Sequence, residues 1–335
     1  MGFEIENSDP PSPISNLQSL IMKKELYQTP WNFLGLPEDV STPSSRGWLL
    51  PVPYEATTSY GAGTREGPAA ILTASRQVEL YDAELDGEPA MEYGICTPPP
   101  LNLVHRSPEA MIQSVEEAVA DLLSGDPRPE VLGILGGEHS ISAGGVRGLA
   151  RVIDAASLVV VHVDAHSDMR DEYEESRYSH ACAARRILET CPIFQIGIRN
   201  LSSGEAAFLR GCRSVRTVFS EEATDPQGRF LRDLAKFVRK KQVYFTVDLD
   251  GLDPSIMPSV GTPEPGGISW ERMLEIARTV CSNAARVPAF DVVELAPIPG
   301  FRAPDFLAAK LVYKLFSYSL VGDGKANSKR SSRHG

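Results

Sequence analysis

Cysteine is sparse and unpatterned in this chain. Five occur among 335 residues, Cys96, Cys182, Cys191, Cys212 and Cys281, and no two make a C-x-x-C pair. That spacing speaks against a disulfide framework and a thiolate zinc site, and it fits a reducing cytoplasm. No apolar run approaches the roughly 20 residues that span a bilayer. The start, MGFEIENSDPPSP, has no basic segment followed by an apolar one, so no signal peptide is expected. Positive charge is also short, with 33 Lys and Arg against 44 Asp and Glu and a net charge of −11. A nucleic-acid partner, which needs a basic patch, is therefore not expected, nor is a membrane partner. An acidic chain suits a cationic small substrate, although acidity also serves plain solubility. There is no P-loop, no G-x-G-x-x-G between a strand and a helix, and no G-x-S-x-G. Phosphate and dinucleotide readings thus have little support.

What is present is an ordinary globular composition, 42% apolar and 23% charged, with no internal repeat. Residues 1–45, rich in Pro, Ser and Asn, read as an arm rather than a core element. Residues 46–321 read as one domain, and 322–335 (GDGKANSKRSSRHG) as a disordered basic tail. Short apolar, mostly β-branched runs over Trp48–Pro53, Val131–Leu135, Leu158–Val163, Ile193–Ile198, Val243–Val247 and Phe290–Leu295 predict strands. Helical periodicity lies between them at Pro108–Leu123, Ser179–Thr190, Phe230–Lys240, Trp270–Cys281 and Asp305–Tyr318. Alternation of this kind predicts an α/β fold, a parallel sheet covered on both faces. In such folds ligands gather at the carboxyl ends of the strands.

Three of the apolar runs end in metal-capable side chains: Gly136-Gly137-Glu138-His139-Ser140, Asp164-Ala165-His166-Ser167-Asp168 and Asp248-Leu249-Asp250. His139, Asp164, His166, Asp168, Asp248 and Asp250 together mix hard oxygen with imidazole nitrogen, a set that suits a pair of ions such as Mn²⁺. Alternate residues of an extended segment point the same way, so Asp164, His166 and Asp168 converge, as do Asp248 and Asp250. Neighbouring carboxylates repel unless cations lie between them. Other residues leave alternatives open. His139 alone reads as a structural histidine or a ligand, and Glu138 as a group that holds the loop or supports a ligand. His162 is expected to point away from the cluster, as a core or supporting histidine. Asp253, before Pro254, reads as a turn-former and His105 as a surface residue. His180 either shuttles protons or caps a helix. Glu294 either binds a cationic substrate or pairs with an arginine.

In these motifs, GGEHS, DAHSD, YSH, TVDLDGLDPS running on to GTPEPGG, and DVVELAP, the chain resembles the ureohydrolase family of arginases, agmatinases and relatives, from about Pro51 to Leu320. Pro53–Gly61 and Gly63–Pro68 look like the agmatinase branch. The resemblance implies a three-layer α-β-α sandwich around a parallel, roughly eight-stranded sheet. It implies two Mn²⁺ per chain, one held by His139, Asp164, Asp168 and Asp248, the other by Asp164, His166, Asp248 and Asp250. A hydroxide between the metals would attack the guanidinium carbon. Asp168 would pass a proton to the departing amine, His180 would relay protons and contact substrate, and Glu294 would orient the guanidinium. The substrate implied first is agmatine, giving urea and putrescine. The alternatives are guanidinobutyrate, aminopropylagmatine, arginine or guanidine, or a catalytically silent member acting as a partner. A homo-oligomer, trimer or hexamer, is also implied. The chain departs from the pattern at Glu138, where Asp is usual, and at Pro258–Thr262, where PGTGT is usual. Neither change falls on a ligand.

Overall fold

The computed structural model describes residues 31–331, with side chains through residue 322. Its strands are β1 (Gly47–Val52), β2 (Ile95–Cys96), β3 (Val131–Gly136), β4 (Leu158–Val163), β5 (Ile193–Ile198), β6 (Val215–Phe219), β7 (Gln242–Asp248) and β8 (Arg286–Val293). They form one eight-stranded sheet in the order β2-β1-β3-β8-β7-β4-β5-β6, parallel at every pairing. The helices are α1 (Gly67–Ser75), α2 (Pro89–Tyr93), α3 (Pro108–Ser124), α4 (Ile141–Ala150), α5 (Ala183–Leu188), α6 (Ser203–Gly211), α7 (Ser220–Ala223), α8 (Phe230–Val238), α9 (Trp270–Asn283) and α10 (Ala303–Ser331), the last interrupted at Gly322 (φ 61°). Local chemistry starts several of them. Ser107 accepts from the Ala110 N–H ahead of Pro108, Ser269 caps α9, and Ser202 and Glu205 cap α6 reciprocally.

Strand alternation splits the core in two. Leu49, Val161, Phe245 and Phe290 face the layer of α1, α8, α9 and α10, whereas Leu50, Val160, Tyr244 and Ala289 face α3, α4 and α5. Every residue of β3, β4 and β5 is buried, as a parallel sheet covered on both faces requires. This is the expected three-layer sandwich.

Two strands went unread in the sequence. β2 is only two residues long, and β6 at the sheet edge carries partly exposed Arg216 and Thr217, so neither shows as an apolar run. The helix expected over Ser179–Thr190 opens instead as a 3-10 turn, His180–Cys182, before α5. Most of the arm lies outside the described residues, as does part of the tail. The described end of the arm, 31–45, is anchored on the core through part of its length rather than standing apart from it. Phe33 and Leu36 are fully buried, because one 3-10 turn folds these apolar residues back onto α1 and α10.

The sheet sets the site by register. Leu135, Val292, Val247 and Val163 are successive Cα partners across β3, β8, β7 and β4, the four central strands. The residues that follow this row are Gly136, Val293, Asp248 and Asp164, so the acidic ends arrive side by side. Beyond Gly136, the backbone of Gly137 passes so close to β1's end that a Cβ would lie 2.0 Å from the Tyr54 carbonyl oxygen. Gly137→Ala is therefore expected to destabilise the metal-free protein by about 1–3 kcal/mol. Calorimetric unfolding measures this, and an unchanged midpoint would refute the close approach.

Candidate metal centre

Four loops at the carboxyl ends of β3, β7, β8 and β4 bring all the expected site residues to one place. His139 Nδ1 lies 3.1 Å from Asp164 Oδ2, 3.3 Å from Asp168 Oδ2 and 3.1 Å from Asp248 Oδ2. His166 Nδ1 lies 2.9 Å from Asp250 Oδ2 and 3.6 Å from Asp164 Oδ1. Asp164 thus offers one oxygen to each group, the geometry of a shared ligand. Asp248 joins the first group through Oδ2, while its Oδ1 accepts the Asp250 N–H at 2.9 Å.

The set fits two metal ions. His139 Nδ1 is buried and makes no hydrogen bond, although three carboxylate oxygens surround it. Burial opposes charge on His139 and His166, but the carboxylates around them outweigh it: His139 is raised well above the ordinary imidazole range, and Asp250 and Asp164 push His166 up to about 12. Burial and then its carboxylate neighbours raise Asp248, Asp250 and Asp168, Asp164 being the chief neighbour for Asp168 and Asp250. Asp164 itself is held well below the usual range, since His162, His139 and His166 outweigh the cost of burying it. A centre that draws protons into a knot of acids is one where cations can replace them.

The loops that carry these ligands are tied down. Glu138 accepts from the Ala56 and Thr57 N–H groups and the Thr57 hydroxyl, each at 2.6 Å, and from the Ser140 hydroxyl at 2.5 Å. It holds the loop, one of the two roles open to it in the sequence. Thr57 in turn accepts the His180 N–H at 2.9 Å. Glu294 Oε1 accepts the His139 N–H at 2.7 Å and lies 3.5 Å from His180 Nδ1. Burial opposes charge on His180, and Glu294 overcomes it, lifting His180 to about 9. Asp168 (φ 52°) and Glu294 (φ 66°) both sit in the left-handed backbone region that non-glycine residues avoid. Asp253 accepts the Ser255 and Gly267 N–H groups, as a turn-former does.

One expectation is corrected. His162 does not point away: its Nε2 is 2.8 Å from Asp164 Oδ2. Residues 162 and 164 are two apart on a strand and share a face. Its supporting role stands. Sequence reasoning also passed over Arg199, whose guanidinium reaches the carbonyl oxygens of Asp250 (2.7 Å), Glu264 (2.7 Å) and Gly251 (3.3 Å) and fastens the loop after β7. Little local marks it, since apart from the Gly197 carbonyl its partners are backbone atoms some 50 or more residues away. The metal-capable side chains His166, Asp168, Asp248 and Asp250 line one cavity of about 180 Å³ with His180, Glu294 and the more exposed Arg170, Tyr173 and Asn200.

The model of the arginase family matches residues 46–317. The chain is 38% identical to an N(1)-aminopropylagmatine ureohydrolase of Synechocystis over 81% of this chain and 88% of that protein. It is 37% identical to one of Thermus thermophilus, over 82% and 91%. Among solved structures, the agmatine ureohydrolase of Thermoplasma volcanium superposes with a TM-score of 0.74 at 27% identity, covering 96% of this chain and all of that one.

Because His139 and His166 hold protons in the metal-free site, each must release one to become a ligand. Affinity for a divalent ion is expected to keep rising with pH through neutrality and past about pH 8, because His166 is pushed up to about 12 and still holds its proton there. Titration calorimetry should give heats that depend on the buffer's ionisation enthalpy. Affinity flat with pH and heats independent of buffer would remove both histidines from the ligand set.

Proposed function

Since the chain belongs to the arginase family, we propose that it is a binuclear manganese ureohydrolase that frees urea from the guanidino end of an agmatine-type amine. The observation that carries this is the pair of donor groups sharing Asp164, set in one cavity with Glu294 and His180. His139, Asp164, Asp168 and Asp248 would hold one ion, and Asp164, His166 and Asp250 the other, with Asp248 as a further shared ligand. Bound there, the two ions supply a strong nucleophile from water at neutral pH, which the poorly electrophilic guanidinium carbon needs.

The chain's own groups do the rest. Glu294, fixed by the His139 N–H, offers a carboxylate to a guanidinium in the cavity, a charge-assisted anchor. Asp168, in the same cavity as Glu294 and His180, would pass a proton to the departing amine. His180, about one-sixth exposed beside Glu294, connects this proton to solvent.

Motif resemblance placed agmatine first. The two curated relatives reverse that order, and we put aminopropylagmatine ahead of agmatine, with guanidinobutyrate and arginine behind them. The test is urea release by Mn²⁺-loaded protein from each of these, with a metal-stripped control. Asp168→Ala or Asp250→Ala is expected to cut release at least about 100-fold. Full activity in either variant refutes the site. Two ions bound with no urea from any of the four compounds favours a non-catalytic member.

A further inference from the structure

Two residues below the acidic strand ends, the apolar sheet is interrupted by a polar row. Thr217, Gln195, His162, Thr246 and Asp291 are successive Cα partners across β6, β5, β4, β7 and β8. The row returns to an apolar residue at Ile134 of β3. The next row down, Val161, Phe245 and Phe290, is apolar, as is the row above. Gln195, His162, Thr246 and Asp291 are fully buried. Polar groups so deep destabilise a fold unless they are paired, and at Gln195, His162 and Thr246 the pairing is directional.

Gln195 Nε2 is 2.7 Å from the Ser167 carbonyl oxygen and 3.0 Å from His162 Nδ1, while its Oε1 accepts the Thr217 hydroxyl at 3.2 Å. A carbonyl only accepts, so the amide nitrogen must face Ser167, and its second hydrogen goes to His162 Nδ1. The ring hydrogen of His162 is thereby left on Nε2, 2.8 Å from Asp164 Oδ2. On the neighbouring strand, Thr246 Oγ1 donates to Ser142 Oγ at 3.4 Å and lies 2.9 Å from His139 Nε2. It therefore accepts from that nitrogen and aims His139 Nδ1, the atom that must give up its proton to bind a metal, among Asp164, Asp168 and Asp248.

From this geometry we infer that His162 and Thr246 are positioning residues for the metal centre. His162, oriented by Gln195, fixes the shared carboxylate Asp164, and Thr246 fixes the ring of His139. The inference rests on the binuclear reading above. It assigns to Gln195, His162 and Thr246 a role beyond filling the core, because Gln195 sets the tautomer of His162, and His162 and Thr246 hold Asp164 and His139.

Two measurements test it. In protein with ¹⁵N-labelled histidine, long-range ¹H–¹⁵N spectra of the metal-free state should place the His162 hydrogen on Nε2, and Gln195→Met should lose that single tautomer. This readout needs no metal. Mn²⁺ titration followed by calorimetry and by electron paramagnetic resonance should then show roughly 10–100-fold weaker binding in His162→Leu and Thr246→Val. His162→Gln, which keeps a donor in place of Nε2, and Thr246→Ser, which keeps the hydroxyl, should restore most of it. Should His162→Leu fail to fold, Gln195→Met carries the same expectation of weakened binding. A hydrogen on Nδ1 overturns the inference, as does equally tight binding in the apolar and conservative variants. Wild-type protein that takes up no ion overturns the binuclear reading, and the metal role of the row with it.

Discussion

Electrostatic repulsion among Asp164, Asp168, Asp248 and Asp250 is the constraint around which this molecule is arranged. All are buried, and in the metal-free state they are relieved by protons drawn onto the acids and by histidines that carry charge where burial would deny it. Removing ions of one sign from water and packing them together is costly, and a cation among them is the direct remedy. The surrounding hydrogen bonds make sense against that cost. Backbone N–H groups of Ala165, His166 and Asp250 point at the carboxylates, and the Arg199 guanidinium draws the loop after β7 inward without adding a carboxylate partner. These contacts keep the acids converging when repulsion would spread them.

The sheet makes that convergence possible. Parallel strands bring all their carboxyl ends to one edge, and the order of the sheet places β3, β8, β7 and β4 together although they lie far apart in the chain. A register in which one apolar row ends level across four strands then delivers ligands in a line. Glycine at 137 lets β3's exit run against the Tyr54 backbone and carry His139 under the acids. Hydrophobic burial on both faces stabilises the platform, and the platform bears the charge.

Much of this was legible in the sequence, because the signals were local. Val131–Leu135, Leu158–Val163 and Val243–Val247 each stop abruptly at a polar cluster, and two-residue periodicity aims the side chains. What escaped depends on partners that a single strand does not reveal. β6 reads as polar because it lies at the edge of the sheet. The pairing of Gln195 with His162 exists only once β5 lies beside β4 in one register, and Arg199 serves carbonyls of a distant loop. His162 was within reach: counting two residues back from Asp164 places it on the ligand's own face. The cavity's more exposed lining, Arg170, Tyr173 and Asn200, carries no motif, and for that reason the far end of the substrate was open to several readings.

Asp168 and Glu294 occupy left-handed backbone that costs an ordinary side chain about 1–3 kcal/mol. Asparagine and glycine occupy it more cheaply, and either would erase the acid. For these two positions, then, drift under pressure for a sturdier fold alone runs downhill towards a well-folded protein with no chemistry. Asp86, Glu174 and Glu175 share this backbone outside the site, but Asp168 and Glu294 hold it inside the site. A descendant that abandoned the reaction would be expected to shed these acids first, with its sheet intact.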